Sequence, residues 1–374
     1  MSDRFDVAVV GSGIVGLGAA YAAVRRGLRV VVVDRTSEPM GATVRNFGHL
    51  CISAQSGEGR EYADISRDLW LRLARDAGFW LRESGTLIVA RHRDELALLE
   101  ESAGDGLELF DAATLEALAP VRPGIAVGGA RLTADLQTDP RTAVHAIAGY
   151  LTSLGVEFRM RTAVGGVASG RLQTSRGVIE ADTIVVAVNH DIDQLLPELA
   201  ESAGIVRCGL DMMRVSAELR NPLDAPLLTG WSLVRYRRFA TLPGAAAVRA
   251  RLHAERPDLA ALDVNQMYTQ LPDGSLIVGD THVKGEAIAP FQSEDAADAL
   301  LDETVALFGI PAPRVLERWQ GVYASAPNEF LVAEPEPGVL AIAATTGIGM
   351  TTGLGLAEHT LAARFGAPTP KGTP

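Results

Sequence analysis

A chain of 374 residues, 47% of them apolar, is long enough to bury a substantial core, which excludes a disordered protein and admits one large domain or two intimately packed ones. A net charge of −12 argues against nucleic-acid and anionic-membrane partners, since either selects a basic face, and points to a small-molecule ligand. The two cysteines, Cys51 and Cys208, have no metal-ligand spacing and suit a reducing compartment without a disulfide framework.

In chain order, residues 5–10 read as a buried parallel strand, 14–26 as a helix and 29–34 as a second buried strand, together a βαβ unit. The apolar run 7–24 could pass for a signal or membrane segment. Asp3 and Asp6, however, stand where a basic stretch is required, and Gly11, Gly13 and Gly16 interrupt the run, so the chain reads as cytoplasmic. A helix is expected over 58–77, a strand over 86–90, and short helices near 95–100 and 114–118. Asp139 and Pro140 look like the N-cap and first residue of a helix running to 154. Short strands follow at 157–159, 163–168, 171–174 and 177–180, then the apolar run "TIVVAV". From 206 to about 324 the text reads as β-rich, with two strands around a Pro-Asp-Gly turn in "QMYTQLPDGSLIVGDTH" and one helix over 294–308. The end, "GVLAIAATTGIGMTTGLGLAEHTLAARF", reads as strand, glycine-containing turn and helix before a Pro/Gly/Lys tail expected to be disordered.

Gly11, Gly13 and Gly16 form a G-x-G-x-x-G turn between strand and helix, with Ile14 and Val15 opening the helix. In this arrangement the glycines allow a tight turn, close approach of a pyrophosphate and close helix–strand packing. Asp34, with Arg35 beside it, ends the second strand about where a carboxylate meets the ribose hydroxyls of an adenosine. A nicotinamide-binding unit would continue directly into its next helix. Here "GATVRNFGHL" intervenes, a loop of small and hydrogen-bonding residues placed to hold the remainder of a longer cofactor, FAD. No Ser/His/Asp order, metal signature or Walker loop supports hydrolase or phosphotransferase chemistry.

"VVGSGIVGLGAA", "VVVVDR" and "GATVRNFGHL", with "TAVGGV…ADTIVVAV" and "LAIAATTGIGMTTGLGLAEHTLA", resemble the FAD-dependent D-amino-acid oxidase, glycine oxidase and sarcosine oxidase family over nearly the whole chain. More narrowly, "VRNFG", "DGSLIVGD" and "RWQGVYAS" resemble the branch associated with bacterial aminophosphonate breakdown. The resemblance implies that Ala42, Thr43, Phe47, Gly48 and His49 border the flavin, with Arg45 and Asn46 in the same loop. It also implies that Val164 contacts the adenine and that Gly347, Ile348, Gly349, Met350, Thr351 and Thr352 lie at the pyrimidine end of the ring. A helix starting near Thr351 would offer N–H groups and a positive end to a reduced ring. Relatives with a covalent flavin use a cysteine in the C-terminal third, so FAD is expected without a covalent link.

One departure bears on the substrate. Many amino-acid-oxidising relatives carry an arginine after the tryptophan-glycine pair, whereas this chain reads Trp319-Gln320-Gly321-Val322-Tyr323-Ala324. The fork that clamps a carboxylate is then missing. Alternative donors are His49, Tyr268, His282, Lys284, Tyr323 and the cluster Arg235-Tyr236-Arg237-Arg238. His49 faces either the substrate or the loop it would hold, His282 either the site or solvent, and the arginine cluster reads as a solvated loop unless it binds an anion. Arg45 is assigned to the cofactor side.

The expected fold is α/β (α+β overall). Residues 1–84, 139–205 and 325–367 would form a discontinuous Rossmann-like FAD-binding domain, 85–138 and 206–324 an inserted mixed-sheet substrate domain, and 368–374 a tail. The expected reaction takes hydride from the α-carbon of a primary or secondary amine to flavin N5, leaving an imine for water to hydrolyse. An aminoalkylphosphonate, free or N-methylated, is the leading substrate, and oxygen or another acceptor reoxidises the ring. The alternatives are a D-amino-acid, glycine or sarcosine oxidase, a 2-hydroxy-acid oxidase, and a flavin-binding regulatory protein without turnover.

Overall fold

The computed structural model describes residues 4–368; Asp3 and residues 369–374 of the expected tail lie outside the described residues. Strand Arg4–Val10 is flanked by two parallel neighbours, Val30–Val33 and Gly177–Val186, and Val339–Thr346 continues the parallel set beside Gly177–Val186. The valine run Val30–Val33 is buried on both faces, which is why it carries no polar alternation. Helices Ile14–Val24, Gly57–Ala77 and Gly349–Phe365 pack together on one side, and Leu17, Leu73, Leu354 and Leu361 meet in the core they share.

The second half of the molecule is built mainly on antiparallel strands, with one parallel pair, Leu227–Leu228 beside Thr86–Ala90. Val206–Ser216 lies between Leu276–Gly285 and Arg314–Glu336, and the sheet extends through Met267–Gln270, Leu227–Leu228, Thr86–Ala90 and Gly128–Leu132 to Leu107–Asp111. The 23-residue strand Arg314–Glu336 joins the halves. Its first part pairs with Val206–Ser216 and its last part with Val339–Thr346, so one sheet runs from the parallel strands into the antiparallel ones. A short loop segment, Ala42–Val44 and His49–Leu50, sits between them.

Several boundaries differ from expectation. The first helix stops at Val24, two residues early, and the segments read as 177–180 and "TIVVAV" are one strand, Gly177–Val186, whose outer half alternates and whose inner half is fully buried. The stretch expected to be β-rich is interrupted by helices Gly230–Leu233, Arg237–Ala240, Ala245–Glu255 and Pro257–Ala261. The alanines and arginines of 245–255 are strong helix formers, and the helix buries only Ala245, Val248 and Leu252. Strands Leu107–Asp111 and Gly128–Leu132 also went unread, since neither shows a clean apolar alternation. Among the described residues, no helix is long and apolar enough to cross a membrane.

Candidate active site

A cavity of about 1010 Å³ lies between the parallel strands and the antiparallel sheet, at the top of the range of about 300–1,000 Å³ usual for small-molecule sites. At one end are Gly11, Gly13, Ile14, Val15, Asp34, Arg35 and Val164. Asp34 is fastened by four donors: Oδ2 accepts from the N–H and hydroxyl of Ser12 at 2.8 and 2.7 Å, and Oδ1 from those of Thr36 at 2.9 and 2.7 Å. Burial would raise its pKa, but these hydrogen bonds outweigh burial and hold the carboxyl below its ordinary value, so it stays ionised. Gly16 does not line the cavity. Its role is packing, because a Cβ there would stand 2.0 Å from the carbonyl oxygen of Gly11.

Ala42, Thr43, Arg45, Asn46, Phe47 and His49 form the middle of the wall. The loop is braced from within, with Asn46 Nδ2 donating to the carbonyls of Ala42 and Thr43 and its Oδ1 accepting from the N–H of Gly48. Gly48 itself is off the cavity, in the left-handed region at φ 69°, and a Cβ there would lie 1.9 Å from the carbonyl oxygen of Thr138. Thr43 ties the loop to the first helix by accepting from the N–H of Ile14, and Arg45 Nη1 reaches the carbonyl of Gln320. His49 is buried. Its Nε2 lies 2.6 Å from the hydroxyl of Thr86, which donates to Asp135 at 2.7 Å; Nε2–H is therefore the donor, and Nδ1 faces the sulfur of Met267. His49 thus holds the loop while lining the cavity.

Gly347, Ile348, Gly349, Met350 and Thr351 complete this side, whereas Thr352 is buried with its hydroxyl on the carbonyl of Ile348. The hydroxyl of Thr351 accepts from the N–H of Cys51, linking the last helix to the loop.

The opposite wall belongs to the antiparallel sheet. Period-two alternation along Leu276–Gly285 places Asp280, His282 and Lys284 on the cavity face. Cys208 stands opposite both Lys284 and Tyr323 in register, and Leu210 opposite both His282 and Gly321. Tyr323 lines the cavity and packs on the turn at Gly347, where a Cβ would come within 3.0 Å of its ring; burial raises its hydroxyl pKa, so the group stays protonated. His282 Nδ1 donates to the carbonyl of Asp263 at 2.9 Å, and its Nε2 lies 3.4 Å from Asp280 Oδ2. Burial, then the nearby Arg235, lowers the His282 pKa to about 3, leaving the ring neutral. Burial raises the Asp280 carboxyl to about 7.

The structure corrects two expectations about substrate contacts. Tyr268 is not on the cavity wall; it is buried behind the sheet, its ring edge-on to Phe308 and its hydroxyl near Gln266 and Thr304. The arginine cluster is not a solvated loop, because it leads into the short helix Arg237–Ala240 and its members part company. Arg235 and Tyr236 line the cavity, with Arg235 Nη1 held by Asp263; Arg237 also lines it but pairs with Glu329; and Arg238 turns away to bond Ser53, Ser102, Gly104 and Asp105. Asp280 and Asp135 went unread. Strand alternation from His282 would have found Asp280, but nothing local distinguishes Asp135.

The family described as "FAD dependent oxidoreductase" matches residues 6–363. The chain belongs to that family. A monomeric sarcosine oxidase of Bacillus sp. (strain B-0618) is 30% identical to this oxidoreductase over 105 residues, 27% of each chain. A D-amino acid dehydrogenase of Bradyrhizobium diazoefficiens is 25% identical over 270 residues, covering 52% of this chain and 63% of the relative. The oxidoreductase thus spans less than two thirds of the length of these curated relatives. Among solved structures, glycine oxidase from Geobacillus kaustophilus superposes with a TM-score of 0.77 at 19% identity, over 99% of this chain and 100% of that one. L-proline dehydrogenase from P. horikoshii superposes with a TM-score of 0.78 at 17% identity, over 99% and 96%. Likeness at these identities is one of fold.

The residues present fit FAD. Helices Ile14–Val24 and Gly349–Phe365 both start at the cavity wall without a side-chain N-cap, so their positive ends face into the cavity. The Gly11–Asp34 end suits the adenosine and diphosphate, and Thr43–His49 with Gly347–Thr351 suits the ring.

Proposed function

We propose that this oxidoreductase oxidises a small primary or secondary amine to an imine, and that its preferred substrate is an aminoalkylphosphonate, free or N-methylated. The names of the similar proteins, which include sarcosine oxidase, glycine oxidase and D-amino acid dehydrogenase, support an amine substrate. The observation that carries the finer reading is the composition of the wall facing the loop. Val322, Tyr323 and Ala324 occupy the strand where the resemblance leads one to expect an arginine, while Arg235 and Lys284 reach the cavity singly from other segments; the neutral His282, whose one N–H is held by the Asp263 carbonyl, is not a donor to an anion. A tetrahedral dianion is bound well by single donors from several directions, whereas a planar carboxylate gains most from one bidentate fork.

When bound, FAD would supply the hydride acceptor, with oxygen or another oxidant as the final electron acceptor. The protein's own groups orient and charge the site. Arg235 and Lys284 provide positive charge, the neutral Tyr323 hydroxyl provides a donor, and Met212 and Met267 give the wall an apolar floor that keeps the reacting carbon dry.

The test is anaerobic bleaching of the flavin by amines, amino acids, 2-hydroxy acids and aminophosphonates. Aminophosphonates should show a kcat/KM at least tenfold above glycine, sarcosine and D-alanine, equivalent to about 1.4 kcal/mol of transition-state binding. Arg235→Ala or Lys284→Met should erode that preference more than it lowers the rate with sarcosine. Equal rates with D-alanine or glycine would return the protein to amino-acid oxidation, and bleaching by hydroxy acids alone would replace amine chemistry altogether.

A further inference from the structure

Within the cavity, a buried carboxyl oxygen is left without a hydrogen-bond partner. Asp280 is 5% exposed and lines the cavity; its Oδ2 lies 3.4 Å from Nε2 of His282, and its Oδ1 has no hydrogen-bond partner among the described residues. A buried carboxyl oxygen without a donor is costly unless a ligand or water meets it. Its backbone is fixed, since the N–H and C=O of Asp280 both pair with Asn265 on the neighbouring segment. His282 is equally fixed by its donation to the Asp263 carbonyl, which directs the lone pair of Nε2 toward Asp280.

We propose that Asp280, backed by His282, is the group that receives the substrate's ammonium proton before hydride loss, an inference that rests on the amine reading above. An ammonium with its proton in place has no lone pair to assist departure of a hydride from the adjacent carbon. In the step assigned here one N–H bond breaks, an O–H bond forms on the Asp280 carboxylate, and the electron pair stays on nitrogen. Nothing else is transferred and no co-reactant is needed. The proton is taken on Oδ1, the oxygen without a partner, while the Nε2 lone pair of His282, 3.4 Å from Oδ2, disfavours negative charge on that oxygen and so favours the protonated acid, which makes His282 a positioning residue. The charged and titratable groups around Asp280 are Arg235 and Asp263 at the cavity rim, His282 and Lys284 on its own strand, Cys208 on the neighbouring strand Val206–Ser216, Tyr323 on the strand beyond that, and Tyr236 from the helical segment. Arg235 opposes burial, and the carboxyl titrates at about 7, where a base works best at neutral pH.

The experiment follows the rate of anaerobic flavin reduction by a bleaching amine, below saturation, from pH 6 to 10. Wild type should show a limb near pH 7 in addition to that of the substrate ammonium. Asp280→Asn should lose that limb and fall about 100-fold below pH 8, at the low end of general-base contributions, with the gap closing to within about tenfold at pH 10, where the amine arrives neutral. His282→Ala should keep the limb but move it to lower pH, since it removes the lone pair that favours the protonated acid. FAD content and Tm at pH 8 establish that each variant is folded. Asp280→Asn with the wild-type profile, or with one uniform loss at every pH, overturns the assignment, and a limb unmoved by His282→Ala overturns the pairing. If no amine bleaches the wild type, the amine reading itself has failed. If amines bleach it and Asp280→Asn behaves as wild type, only this inference has.

Discussion

At the level of single residues, Asp280 and His282 also leave a mark on stability, because each is shifted away from its unfolded pKa and in opposite directions. Asp280 rises from 3.8 to about 7 on folding, so its contribution is fully present below pH 3.8 and is lost as pH rises through 7. His282 falls from 6.5 to about 3, so its contribution is present above pH 6.5 and is lost as pH falls toward 3. Between about pH 4 and 6.5 the two slopes oppose each other and largely cancel. Asp280→Asn should remove one of them. Its Tm is expected to climb with pH across that window more steeply than wild type and to equal or exceed wild type at pH 8, where the native protein buries a charge. Thermal melts at unit pH intervals check this, and parallel curves would mean that Asp280 is not buried as described. His282 was visible in the sequence because histidine is rare and lies in a readable strand, which continues past it to Gly285. Asp280 stands two residues before His282 in the same readable strand, so alternation from His282 points to it, and the cavity wall that both line shows that they share a face.

Among the elements, the loop between the second strand and the helix Gly57–Ala77 does the most to shape the site. Its path is set by Asn46, which bonds the loop to itself, and by Gly48, which lets it press against the carbonyl of Thr138. Gly48→Ala cannot be accommodated by a rotamer change, because the atom in the way is backbone. It should destabilise the holoprotein by about 1–3 kcal/mol, the usual cost of overpacking, and weaken FAD retention at the same time. Melting with and without added FAD separates the two effects; an unchanged Tm would show that the loop yields freely. The loop announced itself by composition. The helical run from 230 to 261 did not, because its short pieces pack through few apolar positions, and the surrounding strands made a β-rich reading the easier one.

For the molecule as a whole, the mode of FAD attachment can be argued from where the thiols lie. Cys51 lines the cavity and Cys208 is buried within the strand Val206–Ser216, and burial pushes both thiols above their ordinary pKa, Cys51 well above. A thiol kept protonated is a poor nucleophile toward a flavin. Acid precipitation should therefore release the flavin into the supernatant, and yellow colour retained in the pellet would mean a covalent bond. The cavity exists because the 23-residue strand Arg314–Glu336 belongs to both halves and holds the antiparallel wall over the dinucleotide cradle. By itself the sequence determined the cradle: glycines at 11, 13 and 16, an acid at 34 and a valine strand between them are local features whose spacing follows from one turn and one helix. The facing wall was decided only by tertiary structure. Asp280, His282, Lys284, Tyr323 and Arg235 come from segments up to 88 residues apart, and which of them share a face depends on strand register and on where a short helix directs its arginines. Those are properties of long-range pairing, which no local pattern encodes.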